Sequence, residues 1–72
     1  MLSTSMPYIG KRLRKLRDER LMSQRDLAEK ANLSPTTIHK LETNKVEPNY
    51  QTLRKLVSTL KISPSELLGD EE

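Results

Sequence analysis

Apolar residues return at helical spacing in five separate stretches of this chain. Ile9, Leu13 and Leu16 fall at i, i+4 and i+7, which predicts a first helix from about Pro7 to Arg20. Proline at position 7 suits a first helical turn, where its missing N–H costs nothing. Leu27, Ala28 and Ala31 predict a second helix from about Gln24 to Ala31. Ser23 is its natural N-cap, with Asp26 three residues on in place of the usual glutamate. Asn32 ends it, because asparagine tolerates the left-handed backbone of a sharp stop. Ser34 and Pro35 then open a third helix reaching about Glu42, with Ile38 and Leu41 turned inward and Leu33 packing ahead of it. Residues 43–48 read as a loop, with Asn44 a second left-handed stop. Asn49 caps a fourth helix from about Tyr50 to Leu60, whose stripe is Leu53, Leu56, Val57 and Leu60. Tyr50 is expected to pack under the preceding loop, the alternative being a contact with a nucleic-acid backbone. A short fifth helix starts after Ser63, opens with Pro64, carries Glu66 three residues past the cap and stops at Gly69. Its Leu67 and Leu68 point about 100° apart, so only one can turn into a core.

No alternating strand pattern and no repeat interrupts this series. The predicted fold is all-α, a compact bundle of five short helices. Between the second and third helices the spacing is informative. Ala28, Asn32 and Ile38 stand four and then six residues apart. A small residue where two helices touch, a left-handed turn and an apolar anchor in that order predict a helix-turn-helix, a motif that holds its second helix out toward a DNA groove.

Composition narrows the function. Seventy-two residues make one small domain, near the lower size limit for a core without staples. With no cysteine and one histidine, no disulfide framework or Cys- or His-based metal site is expected. No apolar run approaches the ~20 residues of a membrane span, and no signal-peptide core is evident. A cytoplasmic location follows as the expectation, with no membrane partner, no cofactor and no evident small-molecule ligand. An enzyme is a poor reading: there is no Gly-rich phosphate loop and no room for a pocketed site. The net charge of +3 is unevenly spread. Lys11, Arg12, Arg14, Lys15, Arg17, Arg20 and Arg25 crowd the front against Asp18 and Glu19, and Asp70, Glu71 and Glu72 close an acidic tail. That asymmetry fits a polyanion partner, although Lys11, Arg12, Arg14 and Lys15 read better as a solvated face. Residues 1–6 lack Lys and Arg, so a flexible arm is expected there rather than a minor-groove reader. The domain proper is placed at 7–69 and the acidic tail at 70–72.

The residues Ile9-Gly10-Lys11-Arg12-Leu13-Arg14-Lys15-Leu16-Arg17, Ser23 to Ala31 and Leu33 to Glu42, continued by Pro48, Thr52-Leu53, Lys55-Leu56 and Ile62-Ser63, resemble the lambda repressor/Cro-like helix-turn-helix family. The likeness covers about residues 9–68 and agrees in order, spacing and capping over all five elements. It implies a sequence-specific DNA-binding regulator, a repressor whose recognition helix, residues 35–42, lies in the major groove of a palindromic operator. Double-stranded DNA is the implied partner, with a weak homodimer. Ser34, Thr36, His39 and Lys40 match positions that meet base edges in that family. Ser23, Gln24, Thr37, Thr43 and Lys45 match positions near phosphates, Gln24 also buttressing the recognition helix. Arg17 and Glu42 match an ion pair between helices 1 and 3. Leu67 and Leu68 lie where the family meets its twin.

Thr36 and Lys40 are the strongest base-contact candidates on physical grounds too. They are four apart and share a face. A lysine donates to guanine O6 or N7, and a threonine methyl meets a thymine methyl. Three positions depart from the family, which often has glycine where this chain has Leu21, Asn32 and Asn44. Either helix 1 ends differently here, or Leu21 is strained. Pro35 replaces a polar reader, so one base contact is apolar or absent. A second class of function remains open: the same fold docking on a protein, as an antitoxin or adaptor, through the acidic tail and an exposed leucine.

Overall fold

The computed structural model describes residues 8–69. Five helices run in chain order: α1 Gly10–Glu19, α2 Gln24–Ala31, α3 Pro35–Glu42, α4 Tyr50–Leu60 and α5 Pro64–Leu68. The last four coincide with the predicted elements. The first begins at Gly10 rather than near Pro7, which lies outside the described residues, as do the expected arm and tail.

The four later helices start on side-chain caps, and this explains their sharp boundaries. Ser23 and Asp26 form a reciprocal box: Asp26 N–H donates to Ser23 Oγ at 2.9 Å and Ser23 N–H to Asp26 Oδ2 at 3.0 Å. Those two bonds satisfy donors that a helix start leaves open. Ser34 and Asn49 accept from Thr37 N–H and Thr52 N–H in the same way. At α5, Ser63 N–H donates to Glu66 Oε2. Helix α1 has no cap of its own. A residue 34 positions away substitutes: Gly10 N–H donates to Asn44 Oδ1 at 3.0 Å. Residue 10 must be glycine for this, because a Cβ there would run into the Glu42 carbonyl oxygen.

The helix ends use left-handed residues. Asn32 (φ 58°) and Asn44 (φ 59°) are asparagines, as the turn chemistry asks, but Leu21 (φ 55°) and Lys61 (φ 57°) are not turn formers. Of the two alternatives for Leu21, the structure shows the strained turn, and the side chain is 92% exposed.

Among the described residues, twelve form one core: Ile9, Leu13, Leu16, Leu27, Ala28, Ala31, Ile38, Leu41, Leu53, Leu56, Leu60 and Leu67. It is wholly aliphatic. Met22, Leu33, Val57, Ile62 and Leu68 are half-buried against it, so Val57 flanks the α4 stripe rather than belonging to it. Arg20 locks the far side by donating to Leu60 O and Leu16 O, which ties the end of α1 to the last turn of α4. Tyr50 does not pack under the loop. It is 67% exposed, with the Arg54 guanidinium 5.7 Å from its ring centroid. Its place at the first turn of α4 points it outward, and Pro48 is the loop residue that is buried.

Candidate nucleic-acid interface

The turn between α2 and α3 is fixed by two features of the sequence. Ala28 is small enough to be buried where the helices cross. Asn32 takes the left-handed stop, and Leu33 N–H then reaches back to Ala28 O at 2.8 Å. Ser34 caps α3 immediately afterward, and Pro35 presets its first turn. The result is a short, rigid helix with two distinct faces.

The inner face carries Ile38 and Leu41, both buried, and Glu42. The Glu42 side chain keeps only 3% of its surface and the Arg17 side chain 10%. Arg17 Nε donates to Glu42 Oε2 at 2.6 Å and Arg17 Nη2 to Glu42 Oε1 at 3.0 Å, a bidentate fork. Gln24 Nε2 donates to the same Oε1 at 3.0 Å, and Arg17 Nη1 to Met22 O at 2.7 Å. Burial pushes the Glu42 carboxyl up, but the bonds from Arg17 and Gln24 prevail and hold it below its ordinary range. The bond to Glu42 holds the Arg17 guanidinium above its ordinary value. Three helices therefore meet on one carboxylate, and among the described residues no buried polar side-chain atom lacks a partner. Asp26 is also held low, by the Ser23 backbone and side-chain bonds.

The outer face carries Thr36, His39 and Lys40, all exposed. At 100° per residue they span an arc of about 100° opposite Ile38. Among the described residues none of these three side chains has a hydrogen-bond or ion-pair partner. Ser34 is exposed too, but its Oγ already serves the Thr37 N–H and lies 2.9 Å from Thr37 Oγ1. Thr43 Oγ1 donates to His39 O at 2.8 Å, closing the last turn. Lys45 is exposed one residue past the Asn44 stop. Ser23 spends its Oγ on the α2 cap, and Gln24 spends its amide on Glu42. Leu67 is fully buried. It has no surface for a twin, so of the two adjacent leucines only the half-buried Leu68 is available for a contact at α5.

Three contributions to this geometry were not foreseen: the Asn44 bond to α1, the close approach at Gly10 and the left-handed Lys61. Asn44 read only as a stop. Its side chain serves a helix start 34 residues away, which local spacing does not report. Among the described residues, no group of three or more His, Cys, Asp or Glu is placed to hold a metal ion.

A five-helix bundle with its second and third helices joined by this turn defines a class of small helix-turn-helix domain, and residues 13–67 match the helix-turn-helix family. The chain belongs to that family, of the lambda repressor/Cro-like kind. It is 36% identical over 63 residues to the immunity repressor protein of Bacillus phage phi105, a match covering 88% of this chain and 44% of that protein. The chain thus spans less than half the length of that relative. The P22 c2 repressor in complex with synthetic operator 9T shares the fold with a TM-score of 0.81 and 29% identity, over 90% of this chain and 98% of that one. SinR, the master regulator for biofilm formation, in complex with DNA, gives 0.79 and 34% identity, over 83% of this chain and 97% of that one.

Proposed function

We propose that this chain is the DNA-binding module of a transcriptional repressor that reads a duplex site with α3 in the major groove. One observation carries the reading: the unpartnered face of Thr36, His39 and Lys40, held out on a helix whose other face is fully bonded. Side chains without internal partners are free to exchange water for base edges. Ser34 reaches a base edge from its cap position. The P22 c2 repressor bound to a synthetic operator and SinR bound to DNA, which share this fold, support the same reading. It is a reading of a binder, not of an enzyme.

The phosphate contacts fall to Ser23, Gln24, Thr37, Thr43 and Lys45. They flank α3 at the start of α2, the first turn of α3 and the loop after it. Phosphate contacts set register and carry little sequence. Lys45 adds the charge that makes binding salt-dependent. No described helix is long and apolar enough to cross a membrane, and the reading places the protein in the cytoplasm with its DNA.

One short helix reads few base pairs, so two copies pair on a palindrome with half-sites about one helical turn apart. Leu68 gives the weak twin contact, and DNA raises the local concentration enough to use it. Selection from a random duplex pool, followed by titration at several salt concentrations, is the test. A recurring palindrome whose affinity falls steeply with salt supports the reading. Enrichment of no sequence overturns it in favour of a protein-docking module. Leu68→Lys should keep half-site affinity and lose the full-site advantage. If it keeps both, the copies do not meet at α5.

A further inference from the structure

The cations of α1 face away from the cluster that backs α3, and the proposed function leaves them unused. Lys11, Arg12 and Lys15 are exposed, and among the described residues none has a carboxylate within ion-pair distance. The other basic residues of that helix are engaged: Arg14 lies 3.9 Å from Asp18, and Arg17 serves Glu42. At 1.5 Å and 100° per residue, the three free cations fall within about 6 Å of helix axis and an arc of about 100°. They line a cleft of about 360 Å³ completed by Tyr8, Gly10 and Asn44, with no carboxylate among the described residues of its lining. A neighbouring cleft on the other side of Arg12 and Lys15 contains Glu19 and Glu66. It repels a further anion, so the Tyr8 side is the electropositive one.

The last described residue, Gly69, lies against this patch. Gly69 takes a left-handed φ of 73°, and the space a side chain would occupy there is filled by the Arg12 guanidinium. Three consecutive carboxylates, Asp70, Glu71 and Glu72, follow at once. Three extended residues reach about 10 Å, enough to run from Arg12 along the whole row. Charge, position and reach point to one occupant.

We propose that the acidic segment Asp70-Glu71-Glu72 docks on the cleft formed by Lys11, Arg12 and Lys15, and so neutralises a second basic face of the domain. The contact is electrostatic and loses strength as salt shortens the screening length. Its consequence for DNA, which rests on the proposed function, is selectivity. An uncovered α1 face would hold any duplex by its phosphates. Covered, it leaves the α3 face as the surface that meets DNA.

The test compares the full chain with the triple variant Asp70→Asn, Glu71→Gln, Glu72→Gln, each with α1 intact or carrying Lys11→Gln, Arg12→Gln and Lys15→Gln. Amide spectra recorded at low salt read the contact without DNA. Neutralising the acidic segment should shift the amides of residues 11–15, and the difference should vanish at about 0.5 M salt. Spectra that are unchanged in that stretch reject the docking, whatever the protein does with DNA. The second readout is affinity for a duplex of unrelated sequence at low salt. The triple variant should bind it roughly threefold to tenfold more tightly with α1 intact, and no more tightly once the α1 cations are gone. An equal gain in both backgrounds means a general change of net charge, not a docked segment. Loss of affinity for the selected site on removing the α1 cations alone, with the acidic segment present, would assign this face to DNA and overturn the proposal.

Discussion

The two faces of α3 differ in a way that separates holding from reading. Inward, Ile38 and Leu41 are buried, and Glu42 accepts three hydrogen bonds from two other helices. Outward, Thr36, His39 and Lys40 have none among the described residues. The same eight residues therefore hold one surface whose bonding is complete and another whose bonding is deferred. A helix this short is marginal by itself, so its rigidity comes from the inner face. On the proposed function a misplaced α3 would lose its geometry with bases, and the inner cluster opposes that displacement.

Mutations on the two faces should have opposite signatures. The largest effect is expected at Glu42→Gln, which leaves the Arg17 charge buried with weaker compensation. A cost of about 3 kcal/mol is expected, or a fall in melting temperature of roughly 10–20 °C for a domain of this size. Base preference should be unaltered. An unchanged melting temperature would remove the cluster from any role in stability. The same pair sets an acid limit. The Glu42 carboxyl is lower in the folded state than its ordinary value of 4.5. Its contribution is thus complete above that value and lost as pH falls through the folded one. Melting followed from pH 6 to pH 2 should show a flatter acid limb in Glu42→Gln than in the parent.

On the outer face the expectation reverses. Lys40→Ala and Thr36→Ala should each change the preferred base pair at one position by about 1–3 kcal/mol of discrimination. Stability should move by no more than about 0.5 kcal/mol. Lys40→Ala weakening every sequence alike would reassign that side chain to the backbone of DNA. Gln24 sits between the two faces, and its substitution should show both signatures at once. Gln24→Ala should cost about 1 kcal/mol of stability through the lost bond to Glu42. It should also weaken all DNA sites equally. Thermal melts and a small panel of duplexes measured on one preparation separate the two.

The smallest effect is expected away from α3. Leu21 holds a left-handed turn that a branched side chain adopts at a cost, and it buries almost nothing in return. Leu21→Gly should stabilise the fold by about 0.5–1 kcal/mol without changing DNA preference. A loss of stability would mean that the exposed leucine makes a contact on the domain surface worth more than the strain.

Most of the fold was legible in the sequence because its signals are local. Ser23, Ser34, Asn49 and Ser63 each announce a helix within three residues of its start, and four helices begin where those caps place them. Helix α1 carries no such cap, and there the reading put the start near Pro7 instead of Gly10. Its cap is Asn44, brought in by the tertiary fold. Lys61 was missed for the reverse reason: nothing in a lysine advertises a left-handed stop, and Ile62 N–H bonding back to Val57 O imposes it. At the interface, helical spacing alone put Thr36 and Lys40 on one face. The Arg17–Glu42 pair spans 25 residues and came from family likeness, which gave Gln24 only as a buttress of the recognition helix and not as a donor to Glu42. Leu67 and Leu68 were indistinguishable by pattern, and packing decides which one is buried.

The aliphatic core has a consequence for how this protein is observed. There is no tryptophan or phenylalanine, and the chain has two tyrosines. Both tyrosines, Tyr8 and Tyr50, sit on the outside at 58% and 67% exposure. Melting the interior moves no aromatic ring from oil to water, so intrinsic fluorescence and near-ultraviolet dichroism are nearly blind to unfolding. Helical far-ultraviolet dichroism is the signal that follows it. The quiet interior makes the two phenols clean reporters of the surface. Tyr8 watches the cleft beside Lys11 and Arg12, Tyr50 watches the start of α4, and a change in their emission registers an arrival there and not a loss of structure.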